Sequence, residues 1–254
     1  MPILIPDDEM QVMNIPGPTA FKFSGQRPDQ LDGASEYTLV TGVCDISSSV
    51  KPFEDDLSKL VSAVVDACKK NDRAENLLFR LLTFNQEVTE VHGFIELNKV
   101  KPQDYNNVLQ AGGWTALYDA TYDAIGAAHE YGRTLIKQDF DVNAATYVIT
   151  DGMNNRGTAT PKMIADTIAQ AEGKEEIESH NIVLIALHNP ALYWEAEVKA
   201  SLEQFQKEAN ITKFVDAGGA TPQKLAKLAD WVSQSVSSQS QALGQGQASQ
   251  LLNF

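Results

Sequence analysis

A chain of 254 residues with 43% hydrophobic side chains carries enough apolar surface for a large core. Its 34 acidic residues outnumber 20 basic ones, for a net charge of −14, which argues against a non-specific nucleic-acid binder and against docking on anionic lipid. No apolar run reaches the roughly 20 residues of a membrane span, and Met1–Ile5 has no basic start of a signal peptide before Pro6-Asp7-Asp8-Glu9 ends it.

In chain order, residues 1–35 contain Pro6, Pro16, Pro18 and Pro28 and show no period, so they are expected to form an extended leader. Tyr37–Cys44 is a nearly continuous apolar run, as in a strand covered on both faces. It delivers Asp45, followed at alternate positions by the hydroxyls of Ser47 and Ser49. From about Pro52 to Lys70 an apolar stripe repeats at helical spacing, with Glu54, Asp55 and Asp56 in the first turn, where the helix dipole favours negative charge. Leu77–Phe84 reads as a second buried strand. Asn85-Gln86-Glu87 is too short to cross back to a parallel strand, so Val88–Phe94 is expected as an antiparallel edge, with His92 on its surface.

Pro102–Leu109 is expected to be a short helical piece, and Ala111-Gly112-Gly113-Trp114-Thr115 interrupts it. A helix follows from Leu117 to Tyr131, with Gly132 as its stop. Ala145–Thr150 is another buried strand, ended by Asp151-Gly152. A helix over 161–173, the most apolar strand at Asn181–Leu187, a helical segment within 190–208, a short strand at Lys213–Val215 and a last helix from Gln223 to about Val236 complete the pattern. Strands alternating with helices predict an α/β, doubly wound, mainly parallel sheet with one antiparallel edge strand and helices on both faces. Beyond Trp231 no charged residue occurs and Ser and Gln dominate, so residues 237–254 are expected to be a disordered tail around one domain at 36–236. Cys44 and Cys68 would lie at opposite ends of the first strand–helix unit, about 24 Å of helix apart, too far for a disulfide. Two free thiols point to a reducing, cytoplasmic compartment.

Open α/β sheets bind ligands outside the carboxyl ends of their strands. Asp45, Ser47 and Ser49 are placed there, and oxygen donors without Cys or His suit a hard cation such as Mg²⁺ or Mn²⁺. Gly113-Trp114-Thr115 and Thr150-Asp151-Gly152 add hydroxyl and carboxylate oxygens at neighbouring loops. The order Asp-x-Ser-x-Ser, then Thr after a Gly pair, then Asp closing an apolar strand resembles the metal-ion-dependent adhesion site of von Willebrand factor type A domains. The resemblance covers essentially 36–236, and all five positions match. It implies a Rossmann-like fold in which Ser47 and Ser49 ligate the metal, Thr115 joins in the ligand-bound form, and Asp45 and Asp151 act largely through waters. One coordination position would stay open for an Asp or Glu of a partner protein, and Trp114 would stand at the contact. In some members of the family the last helix moves with the occupied site.

Each residue also has a local reading. Asp45 and Asp151 suit turns, Ser47 and Ser49 suit loop backbone groups, and Thr115 suits a helix N-cap. A fold of this type with a degenerate metal site would keep the same residues. A Mg²⁺-dependent hydrolase using Asp45 as nucleophile is the enzymatic alternative. It would want a second carboxylate two positions on, where Ser47 stands, and a phosphate-steadying Lys, for which only Lys51 is near. No Gly-x-Ser-x-Gly elbow, zinc helix or phosphate loop occurs. The expectation is a non-enzymatic, metal-dependent protein-interaction module, an intracellular adaptor or subunit of a larger complex, such as one driven by an AAA+ ATPase.

Overall fold

The computed structural model describes residues 7–31, 33–105, 108–172, 177–188, 195–247, 249 and 251–254. Its strands are β1 (Met10–Asn14), β2 (Lys22–Gln26), β3 (Glu36–Asp45), β4 (Leu77–Phe84), β5 (Val88–Glu96), β6 (Asp141–Thr150), β7 (His180–His188) and β8 (Lys213–Gly219), and they form a single sheet in the order β1-β2-β5-β4-β3-β6-β7-β8. β3 pairs in parallel with β4 and β6, and β6–β7 and β7–β8 are also parallel. β4–β5 and β1–β2 are antiparallel. The mainly parallel, doubly wound arrangement is therefore present.

Along β3 the side chains alternate as a period of two requires. Tyr37, Leu39 and Val43 enter one core, Val40 and Cys44 the other, and all five are 2% exposed or less. The first core is closed by α2 (Leu117–Ile136), α3 (Pro161–Glu172) and α4 (Glu195–Glu208), the second by α1 (Glu54–Lys69) and α5 (Pro222–Gly244). Leu57, Leu60, Val61, Val65 and Cys68 make the buried stripe of α1. Each such side chain contributes about 1.5–3 kcal/mol by leaving water. The chain leaves β3 into α1 on one face and leaves β6 into α3 on the other, so the loops after β3 and β6 diverge and open a crevice between them.

Five details differ from the sequence expectation. The leader supplies β1 and β2: β2 docks beside β5 at Gly25↔Phe94, and the Ser24 N–H and hydroxyl both donate to Glu90 Oε1 (2.8 and 2.7 Å). β5 is therefore interior and not an edge. His92, expected on the surface, is buried against Phe79 and Tyr105. Gly132 does not stop α2 but lies within it, where a Cβ would sit 2.6 Å from Ile177 Cγ2, so glycine admits close packing. Finally α5 runs on to Gly244. Its last two turns bury Gln239, Ser240 and Leu243, and Gln239 is held by hydrogen bonds with Ala144 and Asn143. The residues 251–252 and Phe254 pack against the α1/α5 core, with Phe254 edge-on to Trp231. Both cysteines are free and buried, as expected, and burial pushes each thiol up to about 12.

Candidate metal centre

Asp45 is the last residue of β3 and 1% exposed. One carboxylate oxygen accepts the Ser47 N–H (2.7 Å) and the other the Thr150 hydroxyl (2.6 Å). Ser47 and Ser49 face one another with their hydroxyl oxygens 3.1 Å apart, and the Ser49 hydroxyl donates to Asp151 Oδ1 at 2.7 Å. A chain of oxygens thus runs from Ser47 through Ser49 to Asp151, which itself is 2% exposed at the end of β6. Thr115 comes from the third loop. Its hydroxyl and that of Ser49 lie 3.7 and 3.8 Å from the position a Cβ on Gly152 would take, so both face the same point. The Thr115 hydroxyl makes no hydrogen bond with the described residues. All five residues marked by the sequence come together.

The third loop is held by residues that the sequence did not single out. Ser48 accepts the Gly113 N–H (2.9 Å) and donates to its carbonyl (3.1 Å). The Gly112 carbonyl accepts from Asn85 Nδ2 (3.0 Å), and Gln86 Oε1 accepts the Trp114 N–H (3.1 Å). From the other side Asn155 Oδ1 accepts the Thr115 N–H (2.8 Å) while the Asn155 N–H donates to the Thr115 carbonyl (2.9 Å). Thr115 is not the cap of α2. That role falls to Asn154, whose Oδ1 accepts the Tyr118 N–H at 3.1 Å. An Asn-Asn pair after a strand is a weak sequence signal, and only the convergence of loops reveals its use.

Burial pushes the Asp45 carboxyl up to about 7, hydrogen bonds from Thr150 and Ser47 oppose this, and the nearby Asp151 carboxylate adds to the rise. Two acidic groups close together in a buried place are what a cation relieves. Among the described residues no three His, Cys, Asp or Glu side chains gather to hold a metal, so the donors on offer to an ion here are the three hydroxyls together with the two carboxylates. That all-oxygen donor set fits Mg²⁺ or Mn²⁺ and not a softer thiolate or imidazole site. A cleft of about 310 Å³ opens in front of it, lined by Ser47, Ser49, Trp114, Thr115, Gly152 and Asn155 among others. Trp114 is 58% exposed at its rim, with the Arg156 guanidinium carbon 5.5 Å from its ring centroid.

No family model matches this chain, and no curated protein matches it. Solved structures do. The PilB minor pilin of Streptococcus sanguinis aligns with a TM-score of 0.56 at 13% identity, over 84% of this chain and 64% of that one. The pilus adhesin SpaC of Lactobacillus rhamnosus GG, in its open conformation, aligns with a TM-score of 0.55 at 9% identity, over 85% and 31%. Proximal thread matrix protein 1 from the mussel byssus, with a zinc-occupied MIDAS motif, gives 0.48 at 20% identity, over 80% and 46%. The chain thus spans about two thirds of PilB and about a third of SpaC. The likeness to the two pilus proteins shows a shared fold. No helix of the described residues is long and apolar enough to cross a membrane.

Proposed function

We propose that this chain is a metal-dependent protein-interaction module of the von Willebrand factor A type, and that it is not an enzyme. The observation that carries the reading is the meeting of Asp45, Ser47, Ser49, Thr115 and Asp151, from three loops, at the crevice between β3 and β6. Mg²⁺ or Mn²⁺ would be held by the hydroxyls of Ser47, Ser49 and Thr115, with Asp45 and Asp151 behind them. Bound there, the ion supplies an electrophilic position for a carboxylate of a partner. The chain's own residues do the rest: Thr150 and the Ser47 N–H orient Asp45, Asn155 fixes Thr115, and Gln86 and Ser48 fix the loop between them. A nucleophilic Asp45 is disfavoured because it is 1% exposed and both its oxygens already accept hydrogen bonds.

Two settings use the same site. The first is an intracellular adaptor, including a subunit of an AAA+ complex. The second is adhesion at a cell surface, and it is favoured by the fold shared with a minor pilin and a pilus adhesin. The thiols do not decide between them, since both are buried with raised pKa and would resist oxidation in either compartment. Binding to the folded state alone raises stability, by about 2.7 kcal/mol at a hundredfold excess over Kd. Mg²⁺ or Mn²⁺ should therefore raise the Tm of the wild type and leave that of Asp151→Ala unchanged. Equal behaviour of the two proteins would count against the site.

A further inference from the structure

The rim of the cleft carries a cation that lies outside the metal donor set. Arg156 follows Asn155, and its backbone N–H donates to the same Thr115 carbonyl, at 3.2 Å. Its main chain is thereby tied to the loop that carries Thr115. Its side chain lies over the exposed Trp114 ring, 5.5 Å from guanidinium carbon to centroid. Arg156 is itself exposed, and it forms no ion pair among the described residues. The nearby Asp119 is already engaged, its Oδ1 accepting the N–H groups of Thr158 and Ala159 at 2.8 and 2.6 Å. In a chain with 34 acidic residues against 20 basic ones, this guanidinium, without an ion pair among the described residues, stands over a residue that lines the cleft in front of the candidate metal centre.

Stacking on an indole holds a guanidinium by its face and leaves the in-plane N–H fork free. That fork matches a carboxylate bidentately, which an ammonium does not. The net charge of −14 opposes an acidic partner at long range, but at physiological salt this field is screened beyond about 8 Å, where a rim cation acts. We propose that Arg156, held on Trp114, is a second anion anchor, and that this surface takes a partner segment carrying two acidic residues, one for the metal position and one for Arg156. The first acid rests on the metal reading above; the second does not.

The test uses the full chain and synthetic labelled Gly/Ser peptides carrying either one Glu or two Glu at stepped separations, read by fluorescence anisotropy in Mg²⁺ and again in chelator. The wild type should bind one of the two-Glu peptides about tenfold more tightly than the one-Glu peptide. Arg156→Ala should bring the two within about twofold, and Arg156→Lys should recover only part of the difference. Mg²⁺ binding and one-Glu binding should stay as in the wild type. Trp114→Ala should weaken the preference in the same direction. A wild type without the preference, without binding to any of these peptides, or with a preference that survives Arg156→Ala overturns the proposal. A preference that needs Arg156 but persists in chelator supports the anchor and sinks the metal reading. Mg²⁺-dependent one-Glu binding with no two-Glu preference does the reverse.

Discussion

Gly113 has φ +90°, and a Cβ there would fall 1.8 Å from Gln86 Oε1, the atom that accepts the Trp114 N–H. Gly113→Ala combines backbone strain with the loss of that clamp, and should cost about 1–3 kcal/mol. Chemical denaturation would show it, together with weakened metal binding if the loop shifts. His92 carries the clearest pH prediction. Its Nδ1 lies 2.8 Å from the Gly93 carbonyl, which can only accept, so Nδ1 bears the proton and Nε2 accepts the Tyr105 hydroxyl at 2.7 Å. Burial lowers its pKa to about 4. The unfolded chain therefore takes up this proton first as pH falls. Stability should be full above about pH 6.5 and fall toward pH 4 by up to about 3 kcal/mol. Urea titrations across this range should show a shallower fall in His92→Gln, and an unchanged fall would assign the effect to other groups. At this scale the sequence was informative where residues act through neighbours in the chain. Asp45, Ser47 and Ser49 lie within five positions, at the end of β3 and in the turn that follows it. Asn155 and Gln86 act across loops 40 and 28 residues away from their partners, and His92 is covered by Tyr105 from another segment, so no local pattern marks them.

Among the elements, the buried strands were legible because continuous apolar runs leave no solvated alternative. The two that escaped, β1 and β2, owe their form to distant partners. β2 reads Lys-Phe-Ser-Gly-Gln, with a glycine and little period, yet Phe23 is 1% exposed and Ser24 is bound to Glu90. Glu90 also pairs with Arg80 Nε at 2.7 Å. Arg80 is wholly buried, its guanidinium 5.5–5.9 Å from the rings of Phe21, Phe23 and Phe94. Removing one partner of such a pair strands the other charge. Glu90→Ala should cost about 3–5 kcal/mol, and the Arg80→Met/Glu90→Met double variant should cost less than Glu90→Ala alone. Denaturant midpoints compare them, and a double variant weaker than the single would contradict the ion-pair account. The end of α5 escaped for a different reason. Its Ser and Gln side chains read as solvated, but Gln239 donates to the Ala144 carbonyl at 2.7 Å and receives Asn143 on its own carbonyl at 3.0 Å. Polar residues can line a core when main-chain groups satisfy them. Leu243→Ala should therefore destabilise by about 2–3 kcal/mol, whereas a frayed tail would show no change.

At the scale of the whole molecule, the two helical layers and the order of the strands place divergent loops at one end of the sheet, and five oxygen side chains meet there. The general architecture followed from the alternation of strands and helices, and the site from a spaced pattern that coincided with strand ends. The rim, where Arg156 stands over Trp114, was not legible, because that arrangement emerges only when the loops after β6 and before α2 are folded together. The central claim is that these oxygens bind a divalent cation. Calorimetric titration of Mg²⁺, and of Mn²⁺, into the wild type, Ser49→Ala and Asp151→Ala tests it most directly, with circular dichroism to show that all three are folded. The account predicts one binding event in the wild type at about millimolar Kd or tighter, weakened in Ser49→Ala and lost in Asp151→Ala. Heats that are absent in all three proteins, or equal in all three, would contradict it.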